Sequence, residues 1–245
     1  MDRLLAVTAA AEDRHFWFHG LRRFSRLMLD HALPDRRPLR VLDCGSGTGR
    51  NLDWLSSYGV AIGVERSPTG LAVGRAHHRR MVAGDVTALP VPSGSVDLVT
   101  SFDVIYSLDD DAERQAFAEM HRVLAPGGTV LINAAALDLL RGSHSALAHE
   151  RRRYTARRLR AKLDAAGFGV VRMSYTNFTT LPITLAVRLA QRVLGHGQDA
   201  AETEMSVPMT PVNAVLTAAL TVEAAVLRWV PLPAGSSVLC VARKR

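Results

Sequence analysis

The stretch Val41–Arg50, VLDCGSGTGR, decides how this chain is read. An apolar run ends at Asp43, and three glycines follow within five residues, at 45, 47 and 49. Glycines crowded between a strand and a helix remove the Cβ atoms that would hold a ligand away from the backbone and the helix N-terminus. Two familiar loops do not fit. A dinucleotide fingerprint starting at Gly45 needs glycine at position 50, which is Arg50, and a P-loop needs Gly-Lys-Ser/Thr, which is missing here. What remains is D-x-G-x-G-x-G at the carboxyl end of a strand, where open α/β sheets bind ligands.

Outward from that loop the pattern alternates short apolar strands with helical stretches, which argues for parallel βαβ units. The predicted strands are Arg40–Asp43, Ala61–Glu65, Met81–Ala83, Val96–Ser101, Thr129–Ala134, Val170–Tyr175 and Val238–Ala242. Asp109–Leu124 is an amphipathic helix carrying Phe117, Met120, Val123 and Leu124 on one face, stopped by APGG. Thr155–Ala166 is a second, with Thr155 as N-cap and Gly167 as its stop. The sequence divides one domain into a helical cap (1–38), a binding core (39–176), a helical region for substrate or partner (177–237) and a last strand (238–245). In the helical region, Leu181–Leu194 and Val212–Val230 are the predicted helices, with a loop between them. In the second helix Asn213, Thr217, Thr221 and Arg228 form a polar stripe opposite the apolar residues.

The D-x-G-x-G-x-G loop resembles the first motif of class I S-adenosylmethionine-dependent methyltransferases, and the resemblance continues in order. GVERS places Glu65 at the end of the second strand, GDVTALPVPSGSVDLVTSFDVIYSL is similar to the third and fourth motifs, and RVLAPGGTVLI to the turn into the fifth strand. The matches run over about residues 40 to 135. The resemblance implies a Rossmann-like α/β fold: a seven-stranded, mostly parallel sheet with helices on both faces, a helical N-terminal cap and a helical insertion before the last strand. It implies S-adenosylmethionine as cofactor, with S-adenosylhomocysteine as product. It assigns cofactor contacts to Asp43, Gly45, Ser46, Gly47, Glu65, Arg66, Asp85, Val86 and Phe102, with Glu65 on the ribose diol and Asp85 on the adenine amine. Asp43 has two open roles, facing the ligand or holding the loop through its amides. From the cap, Trp17 and Arg22 are expected to close over the cofactor.

Methyl transfer from a sulfonium needs chiefly proximity and alignment, and a base only where the nucleophile carries a proton. His144, His149 and Tyr154 follow the fifth strand and Tyr106 the fourth, so these are the expected catalytic side chains. Arg152 and Arg153, in HERRRYT, are expected to face an anionic group on the substrate. The expected acceptor is a small metabolite, amphiphilic or anionic. A nucleic-acid acceptor is the alternative, but SFDVIYSL contains no N-P-P-Y-like tetrad. A methyltransferase-like interaction subunit is another, although a scaffold has no need of the acidic and glycine set.

Composition narrows the class. The net charge is +7, and of the 30 basic residues only Lys162 and Lys244 are lysines. Two cysteines give neither a zinc spacing nor a disulfide framework, so no metal is expected. No run of 18 apolar residues is free of charge, and the first residues make a poor signal peptide. The expectation is a cytoplasmic monomer or homodimer without a spanning segment, with peripheral membrane contact left open.

Overall fold

A computed structural model describes residues 2–33, 38–141, 149–194 and 206–245. Seven strands, β1 (Leu39–Cys44), β2 (Gly59–Glu65), β3 (Met81–Ala83), β4 (Val96–Phe102), β5 (Leu124–Ala135), β6 (Phe168–Thr176) and β7 (Ser237–Lys244), form one sheet in the order β3-β2-β1-β4-β5-β7-β6. Only β7 runs antiparallel to its neighbours. The inner strands are buried on both faces, so they read as continuous apolar runs such as VLINAA and SVLCVA rather than as alternation. Strand order reverses between β1 and β4, and that switch point opens the crevice at the carboxyl ends.

Helices cover both faces. On one, α5 (Asp110–Val123) and α6 (Ala156–Ala165) bury Phe117, Met120, Leu159 and Leu163 against β4, β5 and β7. Asp109 caps α5 by accepting from the Ala112 amide at 2.9 Å, and acids in the first turn with His121 and Arg122 in the last match its dipole. Thr155 caps α6 through the Arg158 amide. The helix before β5 ends at Val123, but APGG does not separate it from the strand: β5 starts at Leu124 and runs through those residues.

On the other face, α2 (Phe16–Ala32), α3 (Arg50–Leu55) and α8 (Thr210–Leu227) bury Phe24, Met28, Leu55, Leu220 and Leu227. Each such side chain contributes roughly 1.5–3 kcal/mol, so α2 is part of the core rather than a loose cap. A Cβ on Gly20 would lie 2.5 Å from Leu220 Cδ1, so a larger residue there would force the Leu220 side chain to shift where α2 meets α8. α1 (Asp2–Ala11) and α4 (Pro68–Ala76) flank the glycine loop, and α7 (Leu181–Leu194) precedes α8.

In α8 the stripe faces the opposite way from a common surface helix. Asn213 and Thr217 turn toward the protein beside the buried Leu220, Glu223, Ala224 and Leu227, while Val212, Val215, Val222 and Val226 are exposed. The reason is a polar partner: Asn213 accepts from the Phe16 amide at 2.9 Å and donates to the Arg14 carbonyl at 2.8 Å, at the junction of α1 and α2. By length and composition α8 is apolar enough to cross a membrane, which the sequence reading did not anticipate.

Candidate cofactor and acceptor site

The loop after β1 is pinned from two sides. The Gly45 and Ser46 amides donate to the Val64 carbonyl at 2.8 and 3.0 Å, and the Gly47 amide donates to Glu65 Oε2 at 2.8 Å. Glu65 Oε1 accepts from the Ser67 amide at 2.7 Å, so the carboxylate at the end of β2 is held rigidly. Gly45, Gly47 and Gly49 have φ of +72°, +57° and +75°, the left-handed region that side chains resist. From the cap, Glu12 is buried and receives the Thr48 hydroxyl, while Arg50 bridges Asp13 and Asp53.

Between this loop, α1, the start of α2, the ends of β4 and β5, and α7 lies a cavity of about 820 Å³. Gly45, Ser46, Gly47 and Glu65 form its floor at the loop, with Arg66, Asp85, Val86 and Phe102 beyond them. Burial pushes the Asp85 carboxyl up, but the Thr87 amide (2.9 Å) and hydroxyl (2.7 Å) and the nearby Arg66 outweigh it and hold it below its usual range. Trp17 and Arg22 close the cap side. Burial and Arg50 push the Arg22 guanidinium down, and one of its nitrogens donates to the Glu12 carbonyl at 2.9 Å.

The far end of the cavity holds Asp103, Tyr106, His149, Glu150 and Arg153. Asp103 follows β4 at φ +59°. Its amide donates to the Asn133 carbonyl, and Asn133 Nδ2 donates to its two carboxylate oxygens at 3.1 and 3.0 Å. Burial raises the Asp103 carboxyl to about 7, with the Asn133 bonds opposing. Burial also drives the Tyr106 phenol far up, so it stays protonated. Arg153 is clasped by Glu150 at 2.6 and 3.1 Å and donates to the Ala136 carbonyl. The resemblance to the family's fourth motif puts Ser101–Asp103 at the end of the fourth strand, beside the methionine end of the cofactor, but Asp103 is not among the expected catalytic side chains; the available signal was an acid directly after the last strand residue.

Three expected site residues lie off the cavity wall. Tyr154 is fully buried, and its hydroxyl donates to Glu113, so it belongs to the core. Arg152 is spent on Asp110, on Glu113 at 3.2 Å and on the Leu108 carbonyl at 2.9 Å, so it is not offered to an anionic ligand. Asp43 does neither of the things left open for it. Its Oδ1 accepts from the Thr100 hydroxyl at 2.7 Å across the β1–β4 register, and its Oδ2 is buried without a partner. His144 lies outside the described residues.

Burial lifts the Asp43 carboxyl to about 7, with Thr100 opposing and Glu65 adding to the rise. Between the ordinary aspartate value and that figure the folded chain binds a proton that the unfolded chain has released. Stability therefore falls as pH rises through this window. Asp43→Asn should remove that slope: the gap in urea midpoint between variant and parent should widen in the variant's favour from pH 4 to pH 7. A constant gap would show that Asp43 titrates as an ordinary carboxylate.

Residues 42–132 match the family model described as a methyltransferase domain. The chain is 34% identical over 114 residues to a malonyl-[acyl-carrier protein] O-methyltransferase of Coxiella burnetii, covering 45% of this chain and 39% of that one. It is 33% identical over 120 residues to a demethylmenaquinone methyltransferase of Thermus thermophilus, covering 45% and 53%. The chain thus spans about half or less of the length of these curated relatives. Among solved structures, an S-adenosylmethionine-dependent methyltransferase from Mesorhizobium loti aligns with a TM-score of 0.57 at 18% identity, covering 88% of this chain and 95% of that one. The [4+2]-cyclase SpnF aligns at 0.58 and 19%, covering 91% and 80%, so the fold by itself does not fix a reaction. Fold, glycine loop and the match over residues 42–132 mark that stretch as a methyltransferase domain, similar to the class I S-adenosylmethionine-dependent methyltransferases.

The cofactor of this family is S-adenosylmethionine, and the residues present fit it. Each Glu65 oxygen keeps acceptor capacity beyond its single amide bond, as a ribose diol requires. Asp85 Oδ2 lies 3.7 Å from Arg66 and has room for an amine.

Proposed function

We propose that this chain binds S-adenosylmethionine along the glycine loop and transfers its methyl group to a small-molecule acceptor at the Asp103 end of the cavity. The observation that carries this reading is that a single cavity joins a nucleoside-type end, Gly45–Gly47 with Glu65 and Asp85, to an end lined by buried ionisable groups. In this reading Glu65 takes the ribose hydroxyls, Asp85 the adenine amine, and Arg22 the carboxylate of the methionine part, which would offset the burial and Arg50 repulsion acting on it. Bound there, the cofactor supplies a methyl group already activated on a positively charged sulfur. The chain supplies alignment and exclusion of water. Asp103, fixed by Asn133 and poised near neutral pH, takes up a proton at a carboxylate oxygen when the acceptor carries one. Tyr106 stays a hydrogen-bond donor, and His149 stands at the mouth.

For the acceptor, the names of the two relatives point to a carboxylate on a carrier protein and to a quinone. The first suits an anionic acceptor and the second an amphiphilic one. Of the arginine run, Arg151 and the Glu150-clasped Arg153 line the cavity, so an anionic group would meet these two rather than Arg152.

Calorimetry with S-adenosylmethionine and S-adenosylhomocysteine tests the first half, and transfer of a labelled methyl to carboxylate, phenol and quinol acceptors tests the second. Glu65→Ala should weaken cofactor binding by about 1–3 kcal/mol, the loss of hydrogen bonds to a charged acceptor. An unaltered dissociation constant would take Glu65 out of the site. No heat with either ligand would sink the reading.

A further inference from the structure

We propose that the outer face of α7 and α8 docks onto an anionic lipid bilayer, with α8 lying along the surface rather than crossing it. Several polar residues of the two helices turn inward. Thr180, Thr184 and Arg188 wall the cavity from the α7 side. On α8, Asn213 is held by the Phe16 amide and the Arg14 carbonyl, Thr217 and Thr221 bond back to their own helix, and Glu223 receives the Phe178 and Thr179 amides at 3.0 and 2.8 Å. What faces out is aliphatic: Ile183 and Val187 on α7, and Val215 and Val222 on α8, the last two 68% and 63% exposed. Trp229, 84% exposed, ends the α8 stripe beside Arg228.

Three features select a bilayer as the occupant. First, the outward side chains of α8 offer no carboxylate: its only acid, Glu223, is buried and fully used. A protein partner is normally met by a polar rim of hydrogen-bonding groups, whereas here the hydroxyls and the amide are already engaged on the inner side. Second, the charge at the edge is basic. Arg228 stands at the C-terminal end of α8, and Arg172 donates to the Leu227 and Arg228 carbonyls, the latter at 3.0 Å. A tryptophan beside an arginine at the end of an apolar helix suits the boundary of headgroups and acyl chains. Third, the chain carries +7, which draws it to an anionic surface. A second copy would bring the same positive charge and no exposed α8 carboxylate to answer it. α8 lies flat because Leu220, Ala224 and Leu227 pack on the α2 side of the core, with Phe24 and Met28. Its 18 residues extend roughly 27 Å along the surface. The inner face of α7 walls the cavity, so an acceptor dissolved in the bilayer would lie one helix away from the site.

The test is flotation of the full chain with vesicles of phosphatidylcholine containing roughly one third phosphatidylglycerol, against phosphatidylcholine alone, at low and high salt. The chain should float with the anionic vesicles and much less with the neutral ones, and salt should lower the bound fraction. Val215→Asp/Val222→Asp should reduce the partition coefficient at least about tenfold, because two apolar side chains leave the interface and two charges face the lipid. Its near-ultraviolet circular dichroism and thermal midpoint should match the parent, since both positions are exposed. Trp229→Ser, at a position 84% exposed, should lower partitioning in the same direction and provides the second variant if the first misfolds. Three outcomes would overturn the proposal: no flotation with either vesicle, equal flotation of the aspartate or Trp229 variants and the parent, or light scattering that shows a dimer converted to monomer by the aspartate pair. The last would assign the face to self-association.

Discussion

Replacing Gly47 by valine should abolish measurable cofactor binding in a chain that still folds. Gly47 sits at φ +57°, a region in which a β-branched residue costs of order 1–3 kcal/mol. Its amide is the donor that fixes Glu65, so a shift of the backbone at this position moves the ribose-binding carboxylate with it. The added side chain would also point at Leu5 of α1, whose Cδ2 lies 3.3 Å from the new Cβ, in the gap where loop and first helix enclose the cavity. Strain, a displaced Glu65 and a filled gap act together, and a loss above about 3 kcal/mol, or more than a hundredfold in dissociation constant, follows. Gly47→Ala should retain part of the affinity. Calorimetry with S-adenosylhomocysteine on both variants decides it: a folded Gly47→Val chain that binds as the parent does would mean that the ligand does not approach this part of the loop.

The second large effect is on stability. Glu113 is completely buried on α5 and is the node of a network: it accepts from the Tyr154 hydroxyl, pairs with Lys162 at 2.5 Å and faces Arg152 at 3.2 Å. Glu113→Ala leaves two cations and a buried hydroxyl without their shared acceptor. Breaking a buried pair from one side costs about 3–5 kcal/mol, a large part of the total stability of an ordinary domain. Glu113→Gln should cost less, because the amide oxygen still accepts from Tyr154. Urea unfolding followed by circular dichroism measures both, and a Glu113→Ala loss under about 1 kcal/mol would show that the network is solvated.

Glu113 also explains where the sequence was and was not legible. The glycine loop and Glu65 could be read because each requirement is local: small residues at a strand end, and an acid at the end of the next strand. The sheet followed from apolar runs of strand length, and the caps Asp109 and Thr155 from their position before helical patterns. Arg152 and Tyr154 were misassigned because HERRRYT displays charge but not its partner, and Glu113 lies 39 to 41 residues upstream. Asp43, at the end of the first predicted strand, was given a role toward the ligand or the loop because its tie, Thr100, belongs to a strand 57 residues away. In α8 the helical period was visible, but which stripe faces inward depends on the amide of Phe16, 197 residues distant. Local chemistry was readable, and pairings across the sheet were not.

The position of β7 has a consequence for how the chain is made. It lies between β5 and β6 and hydrogen-bonds to both, with Val238–Ala242 fully buried, yet in chain order it comes after every other element. During synthesis β4 and β5 can pair as they emerge, but the flank of β5 stays open and β6 has no neighbour in the sheet until β7 leaves the ribosome. The nascent chain therefore carries an unfilled slot, lined by Ile132 and Phe168, through the whole time that α7 and α8 are being added. Closing it also places the last basic residues, since Arg243 reaches the Ala32 carbonyl and Lys244 those of His121 and Leu124. The strand that completes the sheet thus acts as a keystone joining the two helical layers, and a message cut short before it would yield a product with an exposed sheet edge, prone to aggregate.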